Sequence, residues 1–169
     1  IAVMMVFFMT GFGFGAAAAT LVSQQMGAGH PKEASKDGWL TVIIGGGLMA
    51  LIGLVLVVVP ESVAAIFNPE DAALHAAAAM PLRIVGFGAF FVAGALILTQ
   101  ALYSAGMPRF VAGVTVVGIV WLVPGARWFS MGLGWGLPGV WLAAMVFVVI
   151  LIVFMGRMFA AGRWHRREI

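Results

Sequence analysis

Few polar side chains lie inside the long apolar runs of this chain, and these are the groups that could act on a ligand. Arg83 is the one charge well inside such a run. A charge at that depth is costly, which favours a role in lining a cavity or a gate. Alternatively, the run begins late and Arg83 extends back to the membrane interface from behind Pro81. Both interpretations stay open.

The uncharged polar groups form a second set of candidates. Gln24 and Gln25 lie near the end of the first apolar run, and Thr99 and Gln100 lie near the end of the third. These side chains either face a water-filled cavity or hydrogen-bond to neighbouring helices, which is the more common arrangement. All six acidic residues fall in predicted connections or in the tail, so we expect no acid within a run.

Patterns that indicate an enzyme or a metal site are missing from the sequence. The three histidines lie in three different polar regions, no HExxH or GxSxG pattern occurs, and there is no cysteine. The glycines do not fit a dinucleotide motif, because no strand precedes them and no ribose-binding acid follows. We therefore expect no enzymatic activity, no metal and no cofactor.

Composition indicates an integral membrane protein. Of 169 residues, 63% are hydrophobic and 9% charged, which is too few charges for the polar shell of a soluble domain. Five apolar segments are each long enough to cross a bilayer, which predicts an all-α bundle of five transmembrane helices in one lobe, residues 1–159, followed by a basic tail, 160–169. The predicted spans are 2–23, 39–59, 72–104, 110–129 and 138–159.

The basic residues are distributed unequally between the connections. Seven lie in 30–37, 103–109 and the C-terminal stretch 157–169, against one in 61–71 and 127–137. The positive-inside rule then predicts a cytoplasmic C-terminus, in a bacterial inner membrane. The basic residues mark topology and form no stripe, so no nucleic acid is expected. Since this orientation starts Ile1 at the outer face, we expect a further N-terminal portion.

Other local patterns predict smaller features. Residues 61–70 are expected to form a short helix at the outer interface. Pro81 and Pro124 lie within spans and are candidate bends, either hinges or static kinks. Gly11, Gly13 and Gly15 form a small face for close helix packing, as do the three glycines at 45–47. Four tryptophans are expected in interfacial belts: Trp39, Trp128, Trp135 and Trp164.

Three motifs, in order, resemble the C-terminal lobe of multidrug and toxic compound extrusion (MATE) transporters. Residues 20–34 match T-L-V-x-Q-x-x-G-A-G with the basic loop after it. Residues 101–109 match A-L-x-x-A-G-x-P/T-R, and residues 132–141 match G-L-G-x-x-G-x-W. Residues 81–84 also resemble the start of the fourth helix in a lobe. The family-motif loop residues are Gly27, Gly29, Gly106 and Arg109.

The resemblance implies helices eight to twelve of a twelve-helix, two-lobe antiporter that exports organic cations or drugs in exchange for H⁺ or Na⁺. It also implies the lipid bilayer, small organic cations and an N-terminal lobe as partners. The third segment departs from members with an acid in the tenth helix, so the coupling ion is expected in the N-lobe. The candidate substrate-cavity residues are Gln24, Arg83, Thr99 and Gln100. The alternatives are a lipid-linked oligosaccharide flippase of related architecture and a non-transporting membrane subunit.

Overall fold

The structure is a computed structural model that describes residues 2–67, 69, 72–162 and 164, and these residues form helices and no strand. A π-helical turn, Trp128–Gly132, follows the sixth α-helix. In chain order the α-helices are α1 (Ala2–Gly27), α2 (Pro31–Val58), α3 (Pro60–Phe67), α4 (Ala72–Phe87), α5 (Ala89–Ser104), α6 (Pro108–Arg127) and α7 (Gly136–Ala160).

The lengths and composition of these helices are those of membrane spans. Four stretches are long and apolar enough to cross a bilayer, namely Met5–Gly27, α2, Pro108–Gly132 and α7. A fifth consists of α4 and α5 together, bent by 58° at the break between them. The prediction of an all-α membrane bundle is confirmed. The short helix expected after Pro60 is present as α3.

The third span, 72–104, does not bend at the candidate Pro81. It breaks at Gly88, seven residues after Pro81, and α4 continues through Pro81. Pro124 lies inside α6, four residues before the π-helical turn begins. A methyl group added at Gly88 would collide with the sulfur of Met145 in α7, so the break brings the α4–α5 junction against α7.

The connection from α1 to α2 is a tight turn built on one glycine. Gly29 adopts a φ of 76°, which a residue with a Cβ adopts only at a cost. The His30 N–H donates to the carbonyl of Gln25 at 2.8 Å, which closes the end of α1. Pro31 then starts α2, where its missing N–H is not needed.

The connection from α5 to α6 repeats this arrangement. Gly106 has a φ of 77°, and the Met107 N–H donates to the carbonyl of Leu102 at 3.0 Å. Pro108 follows as the first residue of α6. α7 ends beside the start of α2, since a methyl group at Gly38 would collide with the ring of Phe159. We call the side of the bundle that contains the turns at Gly29 and Gly106 and the end of α7 the basic end.

The predicted connection 30–37 is therefore wrong in its length. Residues 31–37 form the first two turns of α2, so Asp37 belongs to a long helix and not to a loop. Proline two residues after a turn glycine, with Glu33 in the first turn, is a helix-start signal that the sequence already contained. Apolarity alone placed the start eight residues too late, at Trp39.

The backbones of α2 and α4 are in direct contact at two glycines. A methyl group added at Gly86 would lie 2.5 Å from the carbonyl oxygen of Gly53, and one at Gly53 would collide with the Gly86 carbonyl. Such backbone contact requires residues without side chains. More than half of the residues of the next helix, α5, are buried, including Ala93, Ile97 and Leu98.

The last two helices are less enclosed than the others. Only 17% of the α6 span and 11% of the α7 span are buried, compared with 39% of the α2 span. The exposed side chains of α6 are mainly large and apolar, including Val117, Val120 and Val123. In a bilayer, such a surface faces lipid or another apolar helix.

One of the expected belt tryptophans is buried. Trp164 is fully enclosed and stacks on Phe159 with ring centroids 4.9 Å apart. Its indole N–H donates to the Phe159 carbonyl at 3.0 Å. The belt assignment of Trp164 is therefore wrong, because the chain turns back on α7 and places the indole in the core. Trp39, Trp128 and Trp135 are exposed.

We expect Gly53→Ala to destabilise the protein by about 1–3 kcal/mol, because the added methyl would force α2 and α4 apart. Gly47→Ala is the matched control on the same helix, since a methyl there meets nothing within 4 Å. Replacing that glycine should stabilise α2 by about 0.5–1 kcal/mol. Thermal unfolding of the full-length protein in detergent measures both changes. Equal effects would mean that α2 and α4 are not in backbone contact.

Candidate functional site

Two parallel helices, α1 and α5, bring part of the candidate set together. A methyl group at Gly11 would lie 2.8 Å from Leu96, and one at Gly15 would lie 2.9 Å from the Cγ of Gln100. Both contacts advance along the chain in the same direction, so the two helices run side by side toward the basic end. The small face predicted on α1 therefore packs on α5.

Thr99 and Gln100 occupy the polar position in this packed pair. Both side chains are half-buried, and neither makes a hydrogen bond within the described residues. Other hydroxyls in these helices do bond to backbone carbonyls, as Thr20 does to Ala16 at 3.0 Å. An amide at this depth without a partner favours water, ligand or another polypeptide beside it.

Gln24 lies at a different level from this polar position. It is nine residues beyond Gly15 on α1, so it is about 13 Å closer to the basic end than Gln100 is, at 1.5 Å per residue. Its side chain is exposed. The three uncharged candidates, which we call the polar track, thus extend over about 13 Å toward the basic end, with Gln24 on the opposite side of α1 from Gly15.

Arg83 is separated from the other candidates. It lies one turn before Gly86, which packs on Gly53 and Leu56 near the end of α2. That end is the opposite end of the bundle from Gln24, and the Arg83 side chain is exposed. This position matches the interpretation in which Arg83 extends to the membrane interface, and it leaves the cavity candidates uncharged.

The structure adds one polar pair that the sequence analysis did not predict. The Gln25 side-chain amide donates to a carboxylate oxygen of Asp37 at 3.2 Å, in a partly buried position between α1 and α2. The Thr41 hydroxyl donates to the Asp37 backbone carbonyl at 2.8 Å one turn further on. The pair was missed because Asp37 was assigned to a loop. Recognising Pro31 as a helix start would have put Asp37 on α2.

The family-motif residues divide into two kinds. Gly29 and Gly106 have positive φ and shape the two turns at the basic end. Gly27 and Arg109 are exposed, and a methyl group at Gly27 meets nothing within 4 Å. Pro81 is buried and Pro124 is exposed. In the described ranges, no group of three His, Cys, Asp or Glu side chains comes together to hold a metal.

Comparison with known proteins places this architecture in a family. The profile of the MatE family matches residues 1–128, which is most of the chain. The chain belongs to the MatE family. The match includes α1 and α5 and therefore the polar position at Thr99 and Gln100.

Curated MatE relatives match nearly the whole chain. A probable multidrug resistance protein NorM of Mesorhizobium japonicum is 26% identical over 95% of this chain. The probable NorM of Brucella suis is 28% identical over 94%, and the multidrug resistance protein NorM of Burkholderia vietnamiensis is 27% identical over 94%. In each case the chain spans 34% of the relative's length, about one third. No solved structure is significantly similar to this chain.

Gly106→Ala should destabilise the MatE chain by about 1–2 kcal/mol, because alanine resists the left-handed conformation that the α5–α6 turn requires. Gly27→Ala is the control, since that helical glycine faces open space and should tolerate a methyl group. The midpoint of thermal unfolding in detergent reports both. A Gly106→Ala protein as stable as Gly27→Ala would argue against the left-handed turn.

The absence of cysteine allows a direct test of the polar track. Single replacements Gln24→Cys and Thr99→Cys should react with a charged, water-soluble thiol reagent if these positions border water, because only a hydrated thiol ionises. Leu98→Cys, which is fully buried, and Val120→Cys, which is exposed on α6, should stay unreactive. Labelling of all four or of none, read by mass spectrometry, would contradict a water-facing track.

Proposed function

We propose that this chain is one lobe of a secondary active antiporter that exports organic cations or drugs in exchange for H⁺ or Na⁺. The proposal rests on MatE membership and on the names of the NorM relatives, which describe multidrug resistance proteins. A chain that spans about a third of such relatives would form the C-terminal lobe, equivalent to helices eight to twelve, and would act together with an N-terminal lobe.

The observation that carries the proposal is the unpaired amide of Gln100. It lies half-buried about one turn before the end of α5, beside Gly15 at the middle of α1, without a hydrogen-bond partner within the described residues. Polar groups at membrane depth are costly unless they border a cavity or contact a ligand. A substrate that passes between two lobes would meet Gln100 and Thr99 first and Gln24 nearer the basic end.

An uncharged track suits an organic cation better than an anionic substrate. A cation with an apolar body would be bound by apolar helix faces, by amide and hydroxyl oxygens, and without a repelling basic group. An oligosaccharide flippase would need basic side chains near its pyrophosphate-bearing substrate. Arg83, the only basic candidate, lies near the opposite end of the bundle, which speaks against that alternative.

The charge distribution supports a cytoplasmic basic end. The described residues Lys32, Lys36, Arg109 and Arg157 lie on that side, at the ends of α2, α6 and α7. The positive-inside rule then orients the track from mid-membrane toward the cytoplasm, in a bacterial inner membrane. Within the described spans, the acidic residues are Glu33 and Asp37, both near the start of α2. This distribution is compatible with coupling through an acid of the N-terminal lobe.

The proposal is tested by ethidium accumulation in cells that express the full-length gene. Expression should lower accumulation, and Gln100→Leu should weaken this effect by about fivefold or more, the loss expected for one hydrogen bond of roughly 1 kcal/mol. Thr115→Val, a half-buried hydroxyl on α6, is the matched control and should transport normally. A proton uncoupler and sodium-free medium then distinguish the two coupling ions.

Two results would contradict the proposal. Accumulation that is unchanged by expression, with the protein present in the membrane, would favour a non-transporting subunit. Transport that is insensitive to Gln100→Leu while Thr115→Val abolishes it would move the substrate path from α5 to α6.

A further inference from the structure

A groove between α6 and α7 is not used by the proposed transport path. Near the basic end it contains a cavity of about 310 Å³, whose lining includes Arg109, Gly113 and Val117. An adjoining cavity of about 270 Å³ includes Arg157, and the two share the side chains of Phe110 and Phe154. The groove is thus continuous, apolar along its length, and basic at its mouth.

The two arginines at the mouth are exposed and have no acidic partner among the described residues, where the one ion pair joins Lys36 to Glu33. Arg109 is the second residue of α6, and Arg157 is in the last turn of α7, so the two side chains lie at the same end of an antiparallel pair. Two unpaired positive charges above an apolar groove are complementary to an anion with an apolar tail.

The first turn of α6 also favours an anion at the mouth of the groove. No side chain caps that turn, and the N-terminal end of a helix carries a partial positive charge that favours an anion. Arg157 offsets the partial negative charge at the end of α7, as a basic residue in a last turn does. The electrostatic field at the mouth therefore suits a phosphate.

The surface below the mouth suits an acyl chain. Gly113 is exposed, and a methyl group added there would meet nothing within 4 Å, so the groove floor is open at this point. Gly118, by contrast, is covered by the ring of Phe147, which closes the two helices together further along. The open stretch of groove therefore begins at the basic mouth and runs along the membrane-facing side of α6.

We propose that this groove binds one anionic phospholipid, with its phosphate on Arg109 and Arg157 and an acyl chain along Gly113 and Val117. Basic pockets between transmembrane helices on the cytoplasmic side bind anionic headgroups, and this mouth lies at the end predicted to be cytoplasmic. A zwitterionic lipid fits less well because its own cation would face two arginines.

The test is native mass spectrometry of the purified full-length protein after titration with phosphatidylglycerol or phosphatidylcholine. We expect tighter binding of phosphatidylglycerol. Arg109→Gln and Arg157→Gln should each weaken it about fivefold, and the double variant about 25-fold, since each basic residue near the surface contributes about 1 kcal/mol. Arg127→Gln, an exposed arginine at the other end of α6, is the control and should leave binding unchanged.

A second variant tests the groove itself and does not depend on charge. Gly113→Leu should fill the groove without collision and lower phosphatidylglycerol binding about tenfold, while Gly47→Leu, at another open glycine, should not. Equal retention of the two lipids would overturn the proposal. So would binding that Gly113→Leu leaves unchanged, or a groove shown by crosslinking to be filled by another helix of the protein.

Discussion

The backbone contact between Gly53 and Gly86 is the constraint on which the rest of the bundle depends. It brings α2 within touching distance of α4, and the chain can then break at Gly88 and send α5 into the centre of the bundle. Since lipid tails are as apolar as leucine, helices in a membrane gain little from hiding hydrophobic surface and must associate through close packing instead. Glycines on facing helices permit that closeness.

Much of this arrangement follows from the sequence because its causes are local. Long apolar runs produce spans, and Gly29-His30-Pro31 and Gly106-Met107-Pro108 each specify the end of one helix and the start of the next. Features that depend on tertiary contact do not follow in the same way. At Gly88, where the break falls, Met145 of α7 occupies the space that a side chain would need, and the buried Trp164 stacks on the ring of Phe159. Met145 is far from Gly88 in sequence, and Phe159, although only five residues before Trp164, meets it only because the chain turns back on α7.

In the candidate site, too, some features follow from the local sequence and others depend on tertiary contact. Thr99, Gln100 and Gln24 were recognisable as polar groups in apolar surroundings, but their relative depth depends on the register of α1 on α5, which Gly15 sets. Arg83 could not be assigned from its type alone, because a charge in an apolar run has the same appearance at a cavity and at an interface. The Gln25–Asp37 pair joins α1 to α2 across the turn and holds the polar end of the track in place.

The parallel pairing of α1 with α5 has a consequence for how the protein is made. Hairpins such as α1–α2 and α5–α6 can form as soon as their second helix enters the membrane, since their members are neighbours in the chain. The faces of α1 and α5, however, come from residues as distant as Gly15 and Gln100, with the α2 crossing, the short helix α3 and α4 between them. During synthesis, α1 must therefore wait with its glycine face uncovered until about eighty further residues have emerged, an interval in which a lipid or an insertion factor would have to shield it.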